Sequence, residues 1–348
     1  MRSIPTLFLL GLTLLALSPV QAEESHADPQ WVEYVGTKGP GVGKTIVLIS
    51  GDDEYRSEEA LPMLGQILAK HHGFHCYVLF STNPKTGEIT PTEHVHCPGL
   101  HLIDQADLVV LLTRFREWPD DQMQHFVDYI NAGKPLVALR TATHAFHYEK
   151  NRESKFLEYD WRSKQWPGGF GQQILGDTWI SHHGKHKKES CRGIINKQHA
   201  SHPILNGVSD LWGPSDVYGI KHLPESASVL VHGQILTGMK PTDPAVEDQR
   251  NDPMMPIAWL LESTAPSGKS IQSFCNTFCS SVDLECEDLR RMIVNACYWQ
   301  IGLGEAIPEK ANVEYVTEYK PTFFGFGTYT KGVFPKDYVV EELLPEAK

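Results

Sequence analysis

Three short stretches of the chain concentrate side chains able to do chemistry: "GDDEYRSEE" at 51–59, "RTATHAFHY" at 140–148 and "WISHHGKHKK" at 179–188. In the first, Asp52, Asp53 and Glu54 crowd together beside Arg56. Neighbouring carboxylates separate their pKa values, which suits a general base, and they also accept hydrogen bonds from ligand hydroxyls. Asp52, next to the preceding apolar run, is the candidate base; the other role open to these carboxylates is capping a helix that starts near Ser57. In the second stretch Arg140 is able to grip a carboxylate or polarise an oxygen, and His144 to move a proton near neutral pH. Both His144 and His147 are equally able to pin the loop by hydrogen bonding. The third stretch offers His182, His183 and His186, a spacing that chelates a divalent metal if the segment is helical. Gly184 and the run of lysines instead suggest an exposed loop.

These residues need a scaffold, and the intervening sequence alternates strand and helix patterns. "TIVLIS" from Thr45 is a β-branched apolar run, and in "SEEALPMLGQILAKHHG" Leu61, Leu64, Ile67 and Leu68 share a helical face that Gly73 ends. "FHCYVLFS", "ADLVVLLTR" and "PLVALRT" read as further strands, with the amphipathic "PDDQMQHFVDYINAG" between the last two. Continuous apolar runs such as "LVVLL" mark strands covered on both faces. The pattern predicts an α/β fold, a doubly wound, mostly parallel sheet with helices on both faces. Ligands in such sheets bind beyond the strand carboxyl ends. That rule gathers the 51–59 loop, "TRFREWPDD" with Arg114, and the 140–148 loop at one edge. "GPGVGKT" at 39–45 resembles a phosphate-binding loop but fails as one: Lys38 stands where the first glycine belongs, and the segment leads into a strand instead of a helix.

Residues 150–250 carry little periodicity, with short strands expected at "ESCRGIINK" and "SVLVHGQIL" amid long loops. "PIAWLLES", "KSIQSFCNTF" and "LECEDLRRMIVNACYWQIG" return to strand, strand and helix, and 304–348 reads as an extended arm rich in glycine and aromatics. The first 22 residues, with Arg2, an apolar run from Leu7 to Leu17 and Val20-Gln21-Ala22, read as a secretory signal peptide. The mature chain is then expected to be exported, with an N-terminal extension over 23–43 and the α/β domain over 44–303. Without the leader, 30 Lys and Arg face 43 Asp and Glu, a net charge of −13 that disfavours nucleic acid and anionic lipid. No later stretch reaches the roughly 18 apolar residues of a membrane span. The seven cysteines are scattered, without a C-x-x-C pair, and read as buried small hydrophobes with one or two bridges among them.

The stretches "GKPLVALRTATHAF", "HASHPILNGV", "PSDVYG" and "MPIAWLLE" followed by "GKSIQSFCNTF" resemble, in their order, the trehalose-utilisation (ThuA-like) family over residues 44–303. The resemblance implies a flavodoxin-like sheet related to the class I glutamine amidotransferases, and a role in sugar metabolism. His202 matches a recurrent position. Where many members carry an Asp-Glu pair before a tyrosine, this chain reads Ser215-Asp216-Val217-Tyr218; where many carry Gly-His, it reads Phe278-Cys279-Ser280. The amidotransferases place a cysteine nucleophile on the turn after a central strand. Here that turn reads "LRTATHAF", with no cysteine between Cys97 and Cys191, which excludes a glutaminase mechanism. The expectation is an exported protein acting on a sugar or keto-sugar by acid–base chemistry. Asp52, Arg140 and His144 are its catalytic candidates, and Glu54, Arg56, Arg114, His147, His202, Asp216 and Tyr218 its substrate contacts. No cofactor is expected, apart from a divalent metal at the 182–186 histidines. The alternatives are a noncatalytic carbohydrate-binding or scaffold protein and a metal-dependent hydrolase.

Overall fold

A computed structural model describes residues 28–345. The signal-peptide expectation falls on residues outside that range. The sheet grows from the apolar run β2 (Thr45–Gly51), whose β-branched residues pair in parallel with β3 (His75–Phe80) on one side and β4 (Leu108–Thr113) on the other. Parallel pairing continues through β5 (Leu136–Leu139) to β10 (Ser270–Asn276). The parallel part therefore runs β3-β2-β4-β5-β10. β3 is reached on one side of β2 and β4 on the other, so the chain reverses direction between β2 and β4.

Beyond this block the sheet turns antiparallel. β9 (Met255–Thr264) and β10 are joined by only five residues, with Gly268 N donating to Ala265 O and Ala265 N to Lys269 O, 2.9 Å. A connection that short permits a hairpin and forbids a parallel crossover. β8 (Ser228–Ile235), β6 (Cys191–Ile195) and β7 (Leu211–Gly213) extend it to ten strands. The α/β expectation holds, with a sheet that is mixed: the parallel block of five strands carries an antiparallel extension. The segment assigned to an N-terminal extension also contributes β1 (Val32–Val35), an antiparallel edge strand on β3.

Helices cover both faces. The apolar stripe of α1 (Ser57–His72) and that of α3 (Glu287–Gln300) share one core with alternate residues of the strands, among them Leu48, Val110 and Phe274. On the opposite face α2 (Asp120–Asn131) packs with the 156–175 segment against Ile49, Leu111 and Ala138. α1 stops at Gly73, whose φ of 83° lets its N–H close back on Ala69 O. The C-terminal arm crosses the outer side of α1: Glu59 accepts from Thr322 N at 2.7 Å, and Thr317 donates to Gln66 at 2.8 Å.

All seven cysteines are free, and only Cys286 is even partly exposed, which corrects the expectation of one or two bridges. Burial pushes these thiols up, to about 12 for Cys97 and Cys297, so they are poor nucleophiles and slow to oxidise. In concentrated guanidinium without reductant, a thiol reagent should titrate all seven; the native protein should react at Cys286 alone. A smaller count on unfolding would reveal a disulfide and contradict this packing.

Candidate functional site

The loops after β2, β4, β5 and β10 meet at the carboxyl edge of the parallel strands, beside the reversal between β2 and β4. The turn after β5 is the sharpest. Arg140 adopts φ 42° and leads into a 3-10 turn over Arg140–His144. Its guanidinium is fully buried and donates through Nη1 to Asp216 O at 2.7 Å and Thr277 O at 2.6 Å. Through Nη2 it donates to Asp216 Oδ1 at 3.0 Å and to the Tyr55 hydroxyl at 3.1 Å. The Tyr218 and Tyr55 rings lie 3.8 and 4.4 Å from it. A group so enclosed anchors its neighbours and leaves no face for a ligand.

Asp216 is the centre of what Arg140 holds. A short antiparallel ladder brings the 181–184 segment against it: Gly219 N donates to Ser181 O at 2.9 Å, and His183 N and Gly184 N to Val217 O at 2.8 and 3.0 Å. His182 Nδ1 then sits 2.7 Å from Asp216 Oδ2, and His186 Nδ1 3.0 Å from Oδ1. His186 reaches across the cleft as well, its Nε2 lying 3.0 Å from Glu54 Oε1. Burial pulls the Asp216 carboxyl up, but the hydrogen bonds from His182 and His186 and the Arg140 charge outweigh it and hold the group well below the usual carboxylate range. Hydrogen bonds to Asp216 and Glu54 push His186 up to about 9, overcoming its burial. Asp216 is 0 % exposed at its side chain, while His182 and His186 are 35 % and 26 % exposed, so the array is open to solvent on the histidine side.

Aromatic rings wall this opening. Trp179 lies 5.7 Å from His182 and Phe324 5.5 Å from His186, and Tyr218 packs against both Trp179 and His182. Further round, Phe115 and Phe326 enclose the Arg114 guanidinium at 4.7 and 4.6 Å, and Arg114 donates to Asp53 at 2.9 Å. Burial raises Asp53, but His94, Arg114 and Arg116 together bring it down to about 2.

The structure brings together Glu54, Arg114, Arg140, Asp216 and Tyr218 with His182 and His186 from the metal candidates. It separates the others. Asp52 is fully buried and spent on the loop: Oδ1 accepts from Glu54 N at 2.6 Å and Tyr55 N at 2.5 Å, and Oδ2 from the Thr141 hydroxyl. It caps no helix; α1 begins after Arg56 in the left-handed region, without a side-chain cap. Arg56 is buried and bonded to Gly325 O and Thr328, so it fastens the arm. His144 is buried among Phe115, Trp161 and Trp179, and burial holds its ring well below the usual imidazole range, hence neutral. His147 is paired with Asp160 at 2.9 Å on the rim. His183 turns away, its Nε2 2.8 Å from Arg250 O. His202 accepts from Ile204 N and packs 4.4 Å from Trp299 at the end of α3, in a separate cavity.

Phe324 and Phe326 also line the cleft, and the sequence does not single them out. The only signal available was the "FFGFG" run in the arm.

No protein-family model matches the chain, and no curated protein matches it. Among solved structures the chain is similar to a ThuA-like protein of Parabacteroides merdae, at 14% identity and TM-score 0.49 over 85% of this chain and 98% of that one. It is also similar to a ThuA-like protein of Bacteroides uniformis, at 12% identity and TM-score 0.43 over 76% of this chain and 93% of that one. At such values no statement about activity passes from either to this chain.

Two measurements check the geometry. Asp52→Ala leaves two backbone N–H groups and a hydroxyl without their acceptor, so unfolding free energy should fall by roughly 2–4 kcal/mol. A loss within experimental error would mean that water replaces the carboxylate. In chelator-treated protein, His186 has a folded pKa of about 9 against an ordinary 6.5. Its contribution is fully present below pH about 6.5 and lost as pH rises through about 9, on the order of 1 kcal/mol for a ring partly in water. The wild type should lose that stability across the window and His186→Gln should not; parallel curves would refute the paired imidazolium.

Proposed function

We propose that the aromatic-walled cleft takes a sugar or oxidised sugar, and that the chain acts on it by proton transfer with no cysteine nucleophile. One observation carries this reading: an electrophilic centre, the His186 ring with its proton, stands 3.0 Å from the Glu54 carboxylate at the solvent-open edge of the strands. A hydroxyl or carbonyl oxygen brought there meets a donor and an acceptor side by side, the arrangement that general acid–base catalysis requires. Trp179, Tyr218 and Phe324 offer faces for the C–H surface of a sugar ring, and Arg114 offers a charged donor at the rim.

The same reading takes the β3-β2-β4-β5-β10 order as a flavodoxin-like arrangement, consistent with ligand binding at the β2/β4 reversal. It includes export of the mature chain and, from the charge of −13, no nucleic-acid partner. Among the described residues no helix is long and apolar enough to cross a membrane. The cysteines nearest the site in the fold, Cys191 and Cys279, are fully buried with their thiols pushed up, which supports chemistry without a thiolate.

A noncatalytic carbohydrate-binding protein is the second reading. What favours it is that Asp52, Arg140 and His144, the groups the sequence offers for catalysis, are all consumed by the fold. Thermal shift against monosaccharides, disaccharides and their keto derivatives, followed by product analysis, separates the two. A ligand at a hundredfold excess over its Kd should raise stability by about 2.7 kcal/mol. Turnover should then fall by about 10²–10⁴ in Glu54→Gln, with binding retained. Binding without product would establish the second reading, and no shift with any carbohydrate would end both.

A further inference from the structure

We infer that His182, His186 and Asp216 form a binding site for one divalent transition-metal ion. One ring nitrogen of each histidine and a carboxylate oxygen of Asp216 all lie within 4.8 Å of one another, and Nδ1 of each histidine faces the carboxylate, at 2.7 Å for His182 and 3.0 Å for His186. Ligand bonds of roughly 2.1 Å about a tetrahedral ion put donors roughly 3.4 Å apart, so small adjustments of these side chains admit the ion. The donors come from two segments: the ladder of 181–184 with 217–219 holds His182 beside Asp216, and His186 follows two residues beyond it.

The surroundings match what a metal site needs beyond its ligands. Glu54 accepts from Nε2 of His186, so a carboxylate orients the imidazole from the far side and leaves Nδ1 for the ion. Arg140 donates to Oδ1 of Asp216, so Oδ2, which faces His182 Nδ1 at 2.7 Å, is the oxygen that would turn from that imidazole proton to the ion. That guanidinium opposes a cation, and the Asp216 and Glu54 charges offset it. The partly exposed histidines leave coordination positions to solvent, as in an exchange-capable site rather than a closed structural one. Two imidazoles with one carboxylate select zinc, manganese or a neighbouring transition ion over magnesium or calcium, which prefer all-oxygen donors.

The inference deepens the proposed function, since the ion would supply an electrophile on the Nδ1 side of the His186 ring whose Nε2 Glu54 holds. It rests on that reading for its chemistry but not for its existence. Equilibrium dialysis of the chelator-stripped mature protein against Zn²⁺ or Mn²⁺, with metal content measured and affinity obtained by chelator competition, tests it. The expected result is one equivalent bound, not displaced by excess Mg²⁺. His182→Ala and His186→Ala should each weaken binding by about a hundredfold or more, and Glu54→Gln by about 10–100-fold. His183→Ala should bind as the wild type does, because its ring is turned to Arg250 O. Circular dichroism melts establish that each variant is folded. Absence of stoichiometric uptake, or an equal loss in His183→Ala, overturns the inference. Uptake without any carbohydrate response would overturn the sugar reading and leave the metal site; a carbohydrate response in protein that takes up no metal would do the reverse.

Discussion

The burial of one guanidinium organises the rest of this molecule. Arg140 has no contact with water, and a buried charge stripped of a partner typically costs about 3–5 kcal/mol. Each acceptor around it is therefore held in place by the penalty for leaving: Thr277 O beyond β10, the Tyr55 hydroxyl beyond β2, and both the carbonyl and the carboxylate of Asp216. Four segments distant in sequence meet at this one side chain. The left-handed backbone at Arg140 is what turns the side chain inward from the end of β5. The position and charge of Asp216, and through it those of His182 and His186, follow from that turn.

Around this anchor, identical residue types reach opposite charge states because their distances from water and from carboxylates differ. His144, enclosed by aromatic rings, is kept neutral by burial, with the Arg114 and Arg140 charges adding to the effect. His186, partly exposed and hydrogen-bonded to Asp216 and Glu54, holds a proton to about pH 9. Asp52 and Asp53 are adjacent in sequence, yet burial raises the first while His94 and Arg114 help to lower the second. Charge state in this cleft is thus set by each group's burial and partners and not by its residue type.

The C-terminal arm completes that edge. Gly325 N donates to Glu54 O at 2.9 Å, Arg56 bonds the same turn, and Phe324 lies 5.1 Å from Tyr55 and 5.5 Å from His186. The loop that carries Glu54 is consequently fixed from both sides, by Asp52 beneath it and by the arm above. The arm also explains why α1 is buried beyond the stripe its periodicity marks: Gln66 meets Thr317, and Glu59 meets Thr322, on the side that would otherwise face water.

The sequence by itself determined the parallel strands, the three long helices and the carboxyl edge where the loops converge. Those features are written in local terms: continuous apolar runs for covered strands, a 3.6-residue apolar period for helices, and glycine at the end of α1. Tertiary structure alone decided which of the titratable residues near that edge remain free. Asp52 and Arg140 sit at strand ends as expected, but burial there turned both into supports. His182 and His186 joined Asp216 while His183 did not, because ladder pairing between 181–184 and 217–219 sets which rings face the carboxylate. His202, placed in the site by resemblance, lies against Trp299 instead. Period and composition encode what a segment is; which side chain meets which partner depends on contacts between segments 34 to 269 residues apart, and no local pattern carries that.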